Sequence, residues 1–256
     1  MPEIADLSVY KKHLKEMILN KKINHIEIMK DKRMKPNKES IVNNLVHSFI
    51  IDIKRHGKEL YFYFDNGNII SIHLMLKGEF YYEEYIEQKD NVIKFEFEDK
   101  TTFWIKDSKG LTTIELNPLL PTVIDALEIT QEQFLELVAN NPKKNIKAFL
   151  IDQDLIRGIG NAYADEILYA ANVSPKSIVG NIPNEIIIKI YQQMDEVIHQ
   201  AIKIIPTISP NIIRGEIREF MKVHRKDITK TEKKEDIIIE QIAGKKTYFT
   251  TSQIEY

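Results

Sequence analysis

The segment Ile151–Leu168, IDQDLIRGIGNAYADEIL, constrains this chain more than any other. It sets Gly158 and Gly160 two residues apart, just ahead of Asn161 and an apolar-periodic run. The whole chain of 256 residues has only 9 glycines. Two glycines free the backbone for a tight, left-handed turn. A helix entered from such a turn points unpaired N–H groups outward, and those groups suit an anion. Read alone, the segment fits either a packed helix corner or a phosphate-binding turn.

Length and composition narrow the field. A chain of this size is one large domain or two modest ones. Its 43% hydrophobic and 29% charged residues are ordinary for a globular protein. No apolar run approaches the ~20 residues that span a bilayer. The start, MPEIADLSVYKKHLKEM, has no basic stretch followed by an apolar core, so no secretion signal and no membrane partner are expected. There are no cysteines, which excludes disulfides and thiolate metal sites. The seven histidines lie far apart, so no metal and no cofactor are expected. These features favour an intracellular, metal-free protein; a monomer is expected, cytoplasmic and nucleoid-associated if the source is bacterial. The net charge of −2 argues against nucleic acid, but basic clusters stand at Lys143/Lys144/Lys147, Arg214/Arg218, His224–Lys226 and Lys245/Lys246. A basic face can be balanced by acidic residues elsewhere, although each cluster alone reads as a solvated surface.

Periodicity gives the organisation. Leu7, Tyr10, Leu14, Met17 and Ile18 have helical spacing, which predicts an early helix over 7–20. From about 40 to 116 the pattern alternates and is rich in Ile, Phe and Tyr. Asn66-Gly67, between Tyr61–Phe64 and Ile69–Ile72, predicts a hairpin. NVIKFEFEDKTTFWIKD predicts a second strand–turn–strand unit. NPLLPT, Asn117–Thr122, carries two prolines and ends the strands. Helical periods follow at Thr130–Ala139, Ile146–Gln153, Asn161–Ala171 and Pro183–Ile205. Ser209–Phe220 reads as a loop leading into a short helix. The polar run KDITKTEKKED precedes two strand-like pieces around Gly244, a C-terminal hairpin. The fold class is therefore α+β. Its expected parts are an N-terminal antiparallel β-sandwich over 1–118, a helical domain over 119–225 and a hairpin over 226–256.

The chemistry points to the very start. Removal of Met1 from MPE would leave Pro2 with a free secondary amine. An α-amino group titrates near ~8 against ~10.4 for Lys, so roughly a few hundredfold more of it is neutral and nucleophilic at pH 7. Condensed with a sugar aldehyde carbon, a secondary amine gives an iminium that is cationic without a proton, an electron sink for elimination. Glu3 beside it is the candidate general acid.

These fragments together resemble the formamidopyrimidine-DNA glycosylase and endonuclease VIII family. MPEIADL is similar to its N-terminus. RHGKELYFYFDNGNIISIHLMLKG is similar to its basic-Gly-Lys strand and following loop. IKAFLIDQDLIRGIGNAYADEILYAANVSP is similar to its helix–two-turn–helix. IAGKKTYFTTSQ is similar to the second half of its zinc finger, with Thr250 and Ser252 near the expected thiolates. The order is right along essentially the whole chain. The resemblance implies an endonuclease VIII-like, bifunctional DNA glycosylase and abasic-site lyase acting on damaged double-stranded DNA. It implies that Pro2 attacks C1′, that Glu3 moves a proton, and that Lys58 holds a phosphate near the lesion. Asn161 and the backbone around Gly158 and Gly160 would hold the flanking phosphate. Lys245 falls where the family has a hairpin-tip arginine. Met75, Leu76 and Lys77 fall on the loop that fills the gap left by an extruded base.

The departures are informative. All finger cysteines are missing, which implies a zincless finger held by hairpin packing alone. Lys245 gives up the bidentate fork of arginine for a point charge. Asp6 stands where Glu is usual. Asp107–Thr112 reads DSKGLT, not DPRRFG, which tilts the resemblance toward the branch that takes oxidised pyrimidines. If Met1 stays in place, the Pro2 nitrogen is an amide and cannot attack. The alternative reading is a DNA-binding relative that recognises abasic or distorted DNA without glycosylase activity.

Overall fold

The computed structural model describes residues 1–256. Its contacts divide the chain into two compact units. The first contains Met1–Pro2, Asp6–Leu120 and Ser209–Glu216, and the second contains Glu3–Ala5, Pro121–Ile208 and Ile217–Tyr256. Residues 226–256 thus cluster with the helices, and Ser209–Glu216 clusters with the sheets.

The first unit is a sandwich of two sheets. One has the order β1(Ile23–Ile28), β7(Asn91–Phe97), β8(Thr102–Asp107), β6(Gly78–Tyr82), with every pair antiparallel. The other has the order β2(Met34–Lys35), β9(Thr113–Leu116), β5(Ile69–His73), β4(Glu59–Phe64), β3(Ile50–His56). Its β2–β9 pair is parallel and the rest are antiparallel. Alternation turns Phe62 of β4 inward, where it meets Phe80 of β6 at 6.3 Å and Phe103 of β8 at 6.0 Å between ring centroids. Phe95 of β7 stacks on Phe103 at 5.8 Å. Such rings each bury a large apolar area and dominate a core of this kind. The Asn66-Gly67 turn is present, with Gly67 at φ +85° and its N–H bonded to Phe64 O at 3.0 Å.

Helix α1(Ile4–Ile18) begins earlier than its apolar spacing suggests. The stretch from 40 contains a helix that alternation hid, α2(Lys38–Leu45). Asn37 caps it by accepting from Ser40 N–H at 2.8 Å, and Ile41 and Leu45 bury one face. That i, i+4 pair lies inside a β-like composition, so the strand signal masked it.

The second unit is built on helices α3(Gln131–Ala139), α4(Ile146–Leu150), α5(Asn161–Ala171) and α6(Asn184–Ile208). Thr130 and Gln133 form a capping box on α3. Helix α5 ends at Asn172, left-handed at φ 61°. Helix α6 buries Ile187, Ile190, Met194, Ile198, Ala201 and Ile205, a continuous helical stripe. Two expectations are corrected. Helix α4 stops at Leu150, because Asp152–Gly160 is turned by side-chain bonds to its own backbone. Ser209–Phe220 contains no helix. The C-terminal hairpin pairs β10(Ile237–Ile242) with β11(Lys245–Thr250) across Ala243-Gly244, both at positive φ. No helix is long and apolar enough to cross a membrane.

Candidate active site

Gly158 and Gly160 have a steric explanation. Glu3 places its carboxylate on the N-terminus of α5. Oε2 accepts the N–H of Gly160 at 2.9 Å and of Tyr163 at 3.3 Å, and Oε1 accepts that of Ala162 at 3.1 Å. A helix start leaves four N–H groups without intrahelical partners, and its dipole favours an anion there. Glu3 takes three of the four, and Asn161 N–H is the fourth. A Cβ on Gly160 would lie 2.3 Å from Glu3 Cδ, so a glycine is required for the carboxylate to enter. Gly158 is at φ +109°, and a Cβ there would lie 2.7 Å from Ile4 Cδ1. Its N–H donates to Gln153 Oε1 at 3.0 Å, and its carbonyl accepts from Ile4 N at 3.2 Å.

The backbone N–H groups of Gly158 and Gly160 donate inside the protein, to Gln153 Oε1 and Glu3 Oε2. Both Glu3 oxygens accept hydrogen bonds from the start of α5.

Asn161 does reach outward. Its Nδ2 donates to Lys246 O at 2.8 Å, which ties the start of α5 to the tip of the hairpin. Its Oδ1 is buried and has no hydrogen-bond partner. Lys245 and Lys246 are exposed on that tip. Glu3, Gly158, Gly160, Asn161 and Lys245 therefore share the second unit.

A buried charge network, not expected from the sequence, fixes the hairpin on α5. Lys147 of α4 is fully buried, with Nζ 2.7 Å from Asp165 Oδ1, and donates to Thr247 Oγ1 of β11 at 2.5 Å. Burial pulls the Lys147 ammonium below its ordinary range, against the opposing pull of Asp165. Asp165 Oδ2 accepts Tyr248 N–H at 2.9 Å and lies 2.7 Å from His224 Nδ1. Next to it, Glu166 accepts the N–H groups of Lys222, Val223 and His224 at 2.7–2.8 Å. Burial pushes the Glu166 carboxyl up, and those three donors pull against it. The only sequence signal was the adjacent acidic pair on a helix face that is otherwise apolar.

The expected finger has more than packing to hold it, which corrects the expectation of packing alone. Glu235 accepts from Thr231 Oγ1 at 3.1 Å, Tyr169 OH at 3.1 Å and Ser252 Oγ at 2.5 Å. Ser252 Oγ lies 2.8 Å from Thr250 Oγ1, and Gln253 Oε1 accepts Thr250 N–H at 2.8 Å. A hydrogen-bonded polar cluster stands where thiolates were expected.

The remaining residues lie in the first unit. Pro2 is buried. Lys58, 9% exposed, sits in the two-residue turn between β3 and β4, after Gly57 at φ +60°. Met75–Lys77 forms a tight turn closed by Gly78 N–H to Leu74 O at 2.9 Å, with Met75 at φ +54°. A Cβ on Gly78 would lie 2.4 Å from Leu74 O, and Leu76 is 57% exposed at the apex. Asp107 closes the DSKGLT loop by accepting the N–H groups of Lys109, Leu111 and Thr112. Burial opposes ionisation of Asp107, but these donors hold its carboxyl below the usual range.

Comparison with known proteins matches these features to one family. The sequence model of the formamidopyrimidine-DNA glycosylase N-terminal domain matches residues 1–114, and that of its H2TH domain matches residues 124–210. Formamidopyrimidine-DNA glycosylase of Mycoplasma genitalium is 30% identical, over 97% of this chain and 94% of the relative. That of Streptococcus pneumoniae strain R6 is 32% identical, over 79% of this chain and 78% of the relative. A solved complex between the Lactococcus lactis Fpg and abasic-site DNA shares the fold with TM-score 0.87. It is 22% identical and covers 97% of this chain and 98% of its own. MutM in complex with carbocyclic 8-oxo-G containing DNA shares it with TM-score 0.87, 22% identity and the same coverage. From its N-terminal sandwich to its helix–two-turn–helix, this chain belongs to the formamidopyrimidine-DNA glycosylase family.

Proposed function

We propose that this chain is a base-excision repair enzyme, a DNA glycosylase with abasic-site lyase activity on damaged double-stranded DNA. The observation that carries the reading is the anchoring of Glu3 on the N-terminus of α5, which fixes the chain immediately beside Pro2. Family membership over both matched domains supports it.

With Met1 removed, the neutral Pro2 amine attacks C1′ of the damaged nucleotide and displaces the base. The C1′–O4′ bond then opens, O4′ takes a proton, and the resulting iminium draws electrons from the sugar, so that β- and then δ-elimination follow. Lys58, Asn161 and Lys245 contact phosphates flanking the lesion. Asn161 offers a backbone N–H and a buried Oδ1 beside an exposed lysine tip. Leu76, exposed on its tight turn and flanked by Met75 and Lys77, suits the void that an extruded nucleotide leaves.

Two lesion classes compete. The name shared by the sequence relatives favours ring-opened purines. The Asp107–Thr112 loop favours the endonuclease VIII-like reading, oxidised pyrimidines. It folds back on its own aspartate and offers a single lysine, Lys109. A cleavage series on duplexes carrying dihydrouracil, thymine glycol, 8-oxoguanine and an abasic site decides between them. Borohydride trapping on the abasic duplex tests the reaction class. A chain that binds this duplex but never becomes covalently linked to it is a binding protein and not a lyase.

A further inference from the structure

The structure brings a second carboxylate to the start of the chain. Glu216 Oε1 pairs with the N-terminal ammonium, within the first unit. The side chains are 28% and 35% exposed, so the pair is partly shielded from water. The segment carrying Glu216 is pinned. Tyr10 OH donates to Gly215 O, and His13 Nδ1 lies 2.9 Å from Ile212 O. Ile212 and Ile213 are buried. Arg214 pairs with Glu83 at 3.2 Å and lies 4.1 Å over the Tyr81 ring. Gly215 turns the backbone at φ +79°, with nothing near a would-be Cβ. Tyr10, His13, Tyr81, Glu83 and Arg214 are among the titratable and charged groups on the elements that hold this segment.

We infer that Glu216 is the carboxylate that receives the N-terminal amine and stabilises positive charge on it during the reaction. The inference rests on the Pro2 nucleophile proposed above. Removal of Met1 moves the amine back by one residue, about 3.8 Å of chain, a span comparable to the length of a glutamate side chain. The Pro2 nitrogen lone pair then bonds to C1′ of an abasic aldehyde, and the amine proton passes to the aldehyde oxygen. The resulting hydroxyl takes one more proton and leaves as water, so Pro2 N⁺=C1′ forms with a full positive charge. A carboxylate beside that nitrogen favours the iminium over its neutral precursor. It favours the ammonium of the free enzyme by the same attraction, so its removal has two opposite effects.

The test is single-turnover borohydride trapping of an abasic-site duplex from pH 5.5 to 9.5, with chain shown by intact mass to lack Met1. Glu216→Gln is expected to lower the plateau rate at high pH about tenfold, the size of one pK unit of lost charge stabilisation. It is expected to move the rising limb to lower pH, because the amine loses its proton more easily, and to leave duplex affinity within about twofold. Tyr10→Phe, which releases the segment while keeping the charge, should lower the plateau less. Glu216→Asp should restore part of it. A Glu216→Gln profile superimposable on the parent, or a change in affinity alone, overturns the assignment. If the parent chain itself is never trapped, the amine nucleophile fails and Glu216 falls with it.

Discussion

Glu3 and Gly160 stand 157 positions apart in sequence, yet the carboxylate Oε2 lies 2.9 Å from the glycine N–H. Glycine is required there because a Cβ would lie 2.3 Å from Glu3 Cδ. Gly160→Ala should therefore expel Glu3 from the end of α5. Hydrogen bonds to a charged group contribute about 1.5–3 kcal/mol each and are not additive, so a net loss of about 2–4 kcal/mol is expected. Denaturant unfolding reads it directly, and trapping should fall with it. An unchanged midpoint would show that Glu3 is not held by these donors.

Lys147 and Asp165 form a fully buried ion pair. Lys147→Met leaves a buried carboxylate without its cation, which should destabilise the chain by about 3–5 kcal/mol. Lys147→Met combined with Asp165→Asn should recover much of that loss, because an unpaired charge is worse than none. A double-mutant cycle by chemical denaturation checks both. Strict additivity of the two substitutions would refute the coupling.

The hairpin cluster should be indifferent to chelators. Purified chain treated with a strong chelator should keep its melting temperature and its DNA affinity, whereas Ser252→Ala should loosen the hairpin by about 1 kcal/mol, an ordinary hydrogen-bond contribution. The Ser252 hydroxyl, with Tyr169 and Thr231, holds the Glu235 carboxyl below its ordinary value of 4.5. A depressed carboxyl stabilises above its unfolded value and loses that contribution as pH falls through the folded one. The protection of the β10 and β11 amides, relative to free-chain exchange at the same pH, should therefore fall below about pH 4.5 in the parent and less so in Glu235→Gln. Stoichiometric zinc lost together with stability would contradict this account.

The proposed phosphate contacts can be separated by charge. Lys58→Ala and Lys245→Ala should each weaken binding to lesion DNA and reduce the salt slope by about one unit. Asn161→Ala should weaken binding with little change in slope, because its contribution carries no net charge. Slopes unchanged for both lysines would make them ordinary surface residues.

Blocking the amine is the last test. An uncleaved N-terminal tag should abolish trapping, while duplex binding persists. Full trapping by a chain whose intact mass shows the block would exclude Pro2 as nucleophile.

The division between sequence and structure is physical. Periods of 3.6 and 2 are local, and they placed α5 at Asn161–Ala171, the Thr130 start of α3 and the strands on either side of Asn66-Gly67. Missing cysteines settled by themselves that no thiolate holds the hairpin. Local pattern failed where two periods overlapped, as at α2, and where side chains captured the backbone, as at Asp152–Gly160. Pairing between distant groups carries no period at all. The sequence offered an N-terminal anion site at Gly158–Asn161, and only packing decided that Glu3 fills it. Likewise Lys147 met Asp165 and Thr247, and Glu216 met the N-terminal amine, across separations no window spans. A buried charge must find a partner, because desolvation without one is prohibitive. Which partner it finds is a property of the folded chain.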